Sequence, residues 1–205
     1  DGALLDTLDD LMDSCNYALS TIGAPPRTRA EIRRFVGNGI RNLMLQAVPD
    51  GADNPKFEQA YETMQTWYKD HNQIKTAPYP GVQQLIRTLK QQGVPMAVVS
   101  NKPDASVQML VEQWFPEITF GLGEREGLRR KPERDMVDYA IAQLGQTGKK
   151  TVYVGDSEVD LTTAANAGLD CISVTWGFRD RALLVERGAK QFADTAEELL
   201  QLIQG

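Results

Sequence analysis

Residues 151–160 read Thr-Val-Tyr-Val-Gly-Asp-Ser-Glu-Val-Asp. The β-branched and aromatic run that ends in Gly-Asp predicts a buried parallel strand with a carboxylate at its C-terminal edge, where open α/β sheets bind ligands. Asp156 and Asp160 bracket the start of the following helix, so both can face one small volume. Two carboxylates in one place repel each other unless a cation lies between them. The pair therefore indicates an oxygen-liganded metal site, with Mg²⁺ the best candidate, or else an acidic helix cap with one solvated partner.

Two further segments place polar residues at the ends of predicted elements. A buried strand predicted over 94–100 ends in Ser100 and Asn101, just before a helix. Such a strand end can bind phosphate through the hydroxyl and backbone N–H groups, although a simple helix cap fits the same pattern. Lys131 comes immediately before a helix that is predicted to begin at Pro132. Taken alone, a basic residue at that position indicates solvated surface.

Together with the opening Asp1-Gly2-Ala3, these segments resemble, in order and spacing, the four motifs of the haloacid dehalogenase superfamily. The usual motifs are Asp-x-Asp-Gly-Thr, a Ser or Thr, a Lys-Pro, and Gly-Asp-Ser-x-x-Asp. Asp1 aligns with the second Asp of the first motif, so the nucleophilic Asp is expected two positions before Asp1, upstream of the sequence given. Ala3 stands where the family usually has Thr, and we expect a modest loss of order in that loop.

The resemblance implies a phosphatase that works through an aspartyl-phosphate. The upstream Asp would attack phosphorus, and Asp1 would protonate the leaving oxygen and later activate water. The backbone carbonyl of Asp1 would also be a metal ligand. Asp156 would bind Mg²⁺ directly, while Asp160 would hold it indirectly or orient Lys131.

The resemblance also assigns the phosphate contacts. Ser100 and the N–H of Asn101 would hold phosphate oxygens, and Lys131 would supply positive charge to both phosphate and nucleophile. The expected cofactor is Mg²⁺, and the expected partner is a small phosphorylated metabolite.

The pattern of the chain divides it into two parts. Residues 7–79 read as helices with their linkers, and after Pro80 helices alternate with strands. Helices are predicted over 82–91, 104–114, 133–144 and 158–167 and at the C-terminus, and strands over 94–100, 118–121, 151–155 and 171–175. Alternation of this kind predicts an α/β fold, a Rossmann-like parallel sheet core flanked by helices. We therefore predict a catalytic core of residues 1–6 and 80–205, with residues 7–79 inserted as a small α-helical cap domain.

Substrate choice is expected to lie with the cap. Gly37-Asn38-Gly39 interrupts a helical pattern, and glycines there indicate either a backbone that approaches something closely or a plain loop. The segment is similar to the Val-Gly-x-Gly cap loop of the phosphoglycolate phosphatase branch, and Trp176 after the last clear strand is also typical of that branch. The resemblance implies that residues 37–39 bind substrate and that Trp176 walls the pocket or packs beneath the cap.

Composition agrees with a soluble enzyme. The 205 residues are 41% hydrophobic and 24% charged, which is ordinary for a globular protein. The formal net charge of −6 argues against nucleic acid or an anionic membrane as partner. One histidine is too few for a zinc site built from several His ligands. We expect a cytoplasmic monomer or homodimer with both cysteines reduced.

Several functions fit these observations. The first is a Mg²⁺-dependent phosphatase of a small phosphate monoester, with 2-phosphoglycolate the best candidate. Alternatives are a phosphatase of another small ester or of pyrophosphate, a phosphoglucomutase-like transferase, and a catalytically inactive binding protein with the same fold. A dehalogenase is disfavoured because those enzymes need no Mg²⁺, whereas the acidic fourth motif is intact here.

Overall fold

A computed structural model describes residues 1–205, and the chain forms two compact units. The helical unit comprises Asp1 and Leu5–Ala77, and the α/β unit comprises Gly2–Leu4 and Pro78–Gly205. The strands are β1 (Leu5–Asp6), β2 (Ala77–Pro78), β3 (Ala97–Pro103), β4 (Phe120–Glu124), β5 (Val152–Gly155), β6 (Asp170–Val174) and β7 (Gln191–Ala193). The helices are α1 (Leu8–Thr21), α2 (Arg29–Phe35), α3 (Gly39–Ala47), α4 (Phe57–His71), α5 (Val82–Gln91), α6 (Asp104–Trp114), α7 (Asp135–Gln143), α8 (Glu158–Ala167), α9 (Arg181–Glu186) and α10 (Ala196–Gln204). None of these helices is long and apolar enough to cross a bilayer.

The helical unit is built on the packing of α1 against α4, with α3 against α4 and α2 against α1. Apolar residues at helical spacing form its core, and Cys15, Leu19, Met44 and Met64 are fully buried there. The predicted boundaries after residues 6 and 79 lie about two residues from the divisions at Leu4/Leu5 and Ala77/Pro78.

The glycine-rich segment 37–39 lies between the end of α2 and the first residue of α3, which is Gly39. Gly37 has a φ of 133° and Gly39 a φ of 83°, conformations that residues with a Cβ rarely adopt. A Cβ on Gly39 would meet nothing within 4 Å. The structure therefore explains Gly39 by backbone conformation and shows no close approach at that position.

A buried carboxylate ties the two ends of the helical unit together. Asp10, in the first turn of α1, accepts hydrogen bonds from the N–H groups of Lys75 and Thr76 and from the Thr76 hydroxyl, at 2.9, 2.8 and 2.7 Å. Because Asp10 and Thr76 are both buried, these bonds satisfy polar groups that would otherwise be costly to remove from water.

The α/β unit contains two parallel ladders. β3 pairs with β4, and β5 pairs with β6, which in turn pairs with β7. Helix α6 packs on β3 and β4, α8 on β5 and β6, and α10 on β6 and β7. Parallel strands connected by helices confirm the predicted α/β class. The short α9 and β7 were not predicted.

Two predicted element boundaries were wrong. The strand predicted over 94–100 begins instead at Ala97, because the N–H of Val94 closes a turn onto the carbonyl of Leu89 at 3.0 Å. The strand also continues to Pro103, so Ser100 and Asn101 lie inside β3 and not at its end. They fall in the interval between Val99 and Pro103 where the register with β4 shifts, so this part of the strand is irregular.

The helix predicted to begin at Pro132 begins at Asp135. The carbonyls that could have started a helical ladder have other partners. Lys131 O accepts from the Asn101 amide at 3.0 Å, and Pro132 O accepts from the Asn166 amide at 2.8 Å. Lys131 therefore lies in a turn before α7 and is held there by β3.

Candidate functional site

The carboxyl end of β5 brings Asp156 and Asp160 together. β5 ends at Gly155, and Ser157 caps α8 by accepting a hydrogen bond from the Asp160 N–H. A Cβ on Gly155 would lie 2.2 Å from the Cβ of Asp160. Glycine at this position allows the first turn of α8 to fold back over the strand end, which buries both Asp156 and Asp160.

Asp160 holds the side chain of Lys131 in place. Its carboxylate accepts hydrogen bonds from Lys131 Nζ at 2.8 Å, the Tyr153 hydroxyl at 3.0 Å, the Ser157 hydroxyl at 2.7 Å and the Asp156 N–H at 3.2 Å. Burial alone would raise the pKa of Asp160, but Lys131, Ser157 and Tyr153 hold it below its usual range. Of the two roles that the resemblance offered, this geometry favours orienting Lys131.

Lys131 is held in its charged form. Burial acts to lower the pKa of Lys131, but Asp160 and Tyr153 outweigh it and raise the pKa above its usual value. Burial also raises the pKa of Tyr153, so its hydroxyl remains protonated while it accepts from Lys131 at 3.2 Å. The result is a fixed ammonium group at the edge of the sheet.

Asn101 positions the backbone of Lys131. The Asn101 side-chain amide donates to the Lys131 carbonyl at 3.0 Å, and the Lys131 N–H donates to Asn101 Oδ1 at 2.9 Å. Ser100 Oγ accepts from the N–H of Lys102 at 3.2 Å, two residues further along the same strand. Hydrogen bonds thus connect Asn101 through Lys131 and Asp160 to Asp156.

Asp156 is surrounded by backbone. Its carboxylate accepts from the N–H of Phe178 at 2.8 Å. A Cβ on Gly2 would lie 2.2 Å from Asp156 Oδ2, and one on Gly177 would lie 2.6 Å from that oxygen and from the Gly2 carbonyl. Both glycines are therefore needed for the chain to pass so close to the carboxylate. Burial, and next the charge of Asp160, raise the pKa of Asp156 to about 6.

The three acidic residues of segment 156–160 thus have three different hydrogen-bonding partners. Glu158 pairs with Arg179 at 2.8 Å and Asp160 pairs with Lys131 at 2.8 Å, whereas the hydrogen bond to Asp156 comes from a neutral N–H. A buried carboxylate whose ionisation is costly provides the hard oxygen donor that Mg²⁺ prefers. Residues 1–205 bring no group of three acidic, His or Cys side chains together that could hold a metal ion.

The other predicted site residues have different surroundings. Asp1 is exposed and precedes Gly2 in the chain. Gly37, Asn38 and Gly39 lie in the helical unit at the start of α3. The indole N–H of Trp176 donates to the Ala3 carbonyl at 3.0 Å, and both residues pack against the apolar cluster of the α/β unit that includes Ile172 and Val174. Trp176 therefore packs against the Ala3 segment of the α/β unit, and the two roles considered for it, walling the pocket or packing beneath the cap, stay predictions.

Several contacts were not predicted. They are the hydroxyl of Tyr153 between Lys131 and Asp160, the side-chain role of Asn101, the Phe178 N–H on Asp156 and the ion pair of Arg179 with Glu158. Of these residues, only Glu158 has a sequence signal that could have been used, since it lies between Asp156 and Asp160 in the acidic motif.

The α/β fold and the four segments that contain Asp1, Ser100, Lys131 and Asp156 define a hydrolase of the haloacid dehalogenase type. The family model described as haloacid dehalogenase-like hydrolase matches residues 1–174, and the chain belongs to this family. The predicted superfamily is thereby confirmed.

Relatives within the family indicate the branch. The chain is 31% identical over 188 residues to a phosphoglycolate phosphatase of Pseudomonas putida, covering 87% of this chain and 68% of the relative. It is 29% identical over 210 residues to phosphoglycolate phosphatase 1 of Pseudomonas aeruginosa, covering 98% and 76%. A crystal structure of a "putative phosphoglycolate phosphatase" from Lactobacillus delbrueckii subsp. bulgaricus superposes with a TM-score of 0.93 at 39% identity, covering 99% of this chain and 95% of that one. The chain is thus similar to the phosphoglycolate phosphatase branch, as predicted.

Proposed function

We propose that this protein is a Mg²⁺-dependent phosphatase of a small phosphate monoester, with 2-phosphoglycolate as the preferred substrate. The observation that carries the proposal is the unequal pairing of residues 156–160. Glu158 and Asp160 have cationic partners, while Asp156 is buried and hydrogen-bonded to a neutral N–H. Similarity to phosphoglycolate phosphatases from two Pseudomonas species supports the choice of substrate.

Asp156 would hold the Mg²⁺, with the backbone carbonyl of Asp1 as the further ligand that the family pattern assigns. When bound, Mg²⁺ would neutralise charge on the phosphoryl group in the transition state. Asp160 would act on the metal only indirectly, because its carboxylate is committed to Lys131, Tyr153 and Ser157.

Lys131 supplies the permanent positive charge of the mechanism. Its ammonium group is fixed by Asp160 and Tyr153 and its backbone by Asn101, so it is preorganised to stabilise negative charge on the phosphoryl oxygens. The Ser100 hydroxyl and the Asn101 N–H are the proposed phosphate donors.

The covalent step follows the family pattern. The Asp expected two positions before Asp1 would attack phosphorus and form an aspartyl-phosphate. Asp1 would donate a proton to the leaving alkoxide and then take one from the attacking water. The assignment of Gly37, Asn38 and Gly39 to substrate recognition rests on the family resemblance alone.

Phosphate release from a panel of esters tests the proposal. The panel contains 2-phosphoglycolate, a sugar monophosphate, a sugar bisphosphate and pyrophosphate, each assayed with Mg²⁺ and with EDTA, using protein that includes the residues before Asp1. Mg²⁺-dependent turnover with the highest kcat/KM for 2-phosphoglycolate is expected. A preference for another ester would retain the mechanism and overturn the substrate. Absence of release from every ester by folded protein would overturn the mechanism and favour a non-catalytic binding protein.

A further inference from the structure

We propose that Arg179 and Glu158 form a clamp that positions the Asp156 carboxylate for cation binding, an inference that rests on the proposed function. Arg179 Nε donates to Glu158 Oε2 at 2.8 Å, and Nη2 donates to Oε1 at 3.1 Å. This parallel two-point pairing fixes orientation as well as distance. Arg179 is only 7% exposed, so the pair is shielded from water on the arginine side.

The clamp lies directly beside the hydrogen bond that orients Asp156. Glu158 is the first residue of α8, two residues after Asp156, and Arg179 follows Phe178 in the chain. Two cross-links therefore join the same pair of segments, one from the Phe178 N–H to Asp156 at 2.8 Å and one from Arg179 to Glu158. The position of the Phe178 N–H is thus set by the arginine next to it.

The segment that carries Phe178 has little regular structure to hold it. It lies between β6, which ends at Val174, and α9, which begins at Arg181. At its other end, the Trp176 indole is fixed on the Ala3 carbonyl at 3.0 Å. Arg179 supplies a further attachment, and the intervening Gly177 passes within Cβ-clash distance of Asp156.

The orientation of the Asp156 carboxylate matters because residues that do not contact a metal themselves commonly influence the affinity for it. Partners that orient a metal-binding side chain typically change metal affinity or activity by about 10–100-fold when they are replaced. Arg179 touches neither the cation nor Asp156 in this scheme. It is a positioning residue that acts through the Phe178 N–H.

Three variants separate positioning from a general contribution to stability. Arg179→Met removes the ion pair while keeping an apolar stem. Arg179→Lys retains the charge but not the two-point geometry. Arg181→Met is the matched control, because it removes an arginine–carboxylate pair two residues further on, between Arg181 and Asp194 at 2.9 Å, which is exposed. Mg²⁺ affinity is measured by calorimetry on the full chain, with thermal unfolding and phosphate release on the same samples.

A 10–100-fold weaker Mg²⁺ affinity in Arg179→Met, a smaller loss in Arg179→Lys and a change within about twofold in Arg181→Met are expected. If Arg179→Met does not fold, Arg179→Lys and Glu158→Gln decide the question. Mg²⁺ affinity within twofold of the wild type in every folded variant at Arg179 or Glu158 would overturn the clamp.

The two proposals can fail separately. A wild-type protein that binds Mg²⁺ but releases no phosphate would contradict the proposed function, and the clamp would still be judged from the affinities of the variants. A wild-type protein that binds no Mg²⁺ would overturn both. In the double variant Arg179→Met/Glu158→Gln, an affinity equal to that of Arg179→Met alone supports one functional unit, whereas additive losses contradict it.

Discussion

Asn101 and Lys131 are joined by two reciprocal hydrogen bonds, from the Asn101 amide to the Lys131 carbonyl at 3.0 Å and from the Lys131 N–H to Asn101 Oδ1 at 2.9 Å. The amide of one side chain thus satisfies both backbone groups of another residue thirty positions away. Because the ammonium of Lys131 is fixed separately by Asp160, backbone and side chain of this lysine are held by different elements. The predicted phosphate-binding residue Asn101 therefore also has a positioning role.

Asn101→Ala should lower kcat/KM for phosphate release by about 10–100-fold, because displacement of a catalytic group by about 1 Å can cost a factor of 10². Asn166→Ala is the matched control, since its amide donates a single bond to the neighbouring Pro132 carbonyl at 2.8 Å. We expect its kcat/KM to stay within about threefold of the wild type. Equal losses in the two variants would contradict a specific role for Asn101.

Lys131→Met should destabilise the protein in a pH-dependent way. The folded pKa of Asp160 is depressed, so its stabilising contribution is present above its unfolded value near 3.8 and is lost as pH falls through the folded pKa. The folded pKa of Lys131 is raised, so its contribution is present below the unfolded value near 10.5 and is lost as pH rises through the folded pKa. The pair therefore stabilises fully between about pH 5 and 9.

Removing the lysine leaves Asp160 buried without its cation. Urea unfolding at pH 7 should show a free energy of unfolding lower by about 3–5 kcal/mol, and the difference should shrink below about pH 5 as Asp160 takes up a proton. Arg134→Met, which breaks the exposed pair with Asp138, serves as the control and should cost about 0.5 kcal/mol or less. A loss from Lys131→Met that does not vary between pH 3 and 7 would contradict this account.

Asp156→Asn should abolish Mg²⁺-dependent phosphate release and yet stabilise the Mg²⁺-free protein. The folded pKa of Asp156 is raised to about 6 from 3.8, so the folded state loses stability as pH rises through that window. At pH 7 the amide avoids this cost and can still accept from the Phe178 N–H, for a gain on the order of 1–3 kcal/mol.

Thermal unfolding with and without Mg²⁺ checks the predicted stability, and phosphate release checks the predicted loss of activity. The wild type should gain in Tm on adding Mg²⁺, because a ligand that binds only the folded state stabilises it, whereas Asp156→Asn should not respond. An unchanged rate of phosphate release in Asp156→Asn would refute the metal assignment.

The sequence predicted those parts of the fold in which a local pattern decides the structure. The helix predicted over 158–167 has the bounds of α8, and the α/β class follows from alternation of strands and helices. The start of α7 was misplaced because Pro132 is a favourable first helical residue, whereas the Asn101 amide takes the carbonyl of Lys131. A competing partner from a distant strand leaves no trace in local sequence.

The same limit applies to the site. The motif order predicted Asp156, Asp160 and Lys131 as site residues, and the first two have a spacing that is set by one strand end and one helix start. The Phe178 N–H and Arg179 were not predicted, since each depends on how the segment after β6 passes over the start of α8. Backbone donors have no residue-type signature, so long-range placement of this kind is read only from the structure.

Gly177→Ala tests whether the close approach to Asp156 is needed for function. A Cβ there would lie 2.3 Å from the Cβ of Asp156 and 2.6 Å from the Gly2 carbonyl, so one of the two segments must move. Such overpacking typically costs about 1–3 kcal/mol, and we expect the displaced carboxylate to weaken Mg²⁺ affinity by about tenfold or more.

Gly168→Ala provides the comparison that separates lost stability from lost geometry. Gly168 ends α8 with a φ of 71°, and a Cβ there would meet nothing within 4 Å, so alanine costs about 1 kcal/mol through backbone strain alone. Calorimetric Mg²⁺ affinity and kcat/KM should match the wild type in Gly168→Ala and fall in Gly177→Ala at a temperature where both are folded. If the two variants lose affinity equally, the proximity of Gly177 to Asp156 has no functional role, since general destabilisation then accounts for both.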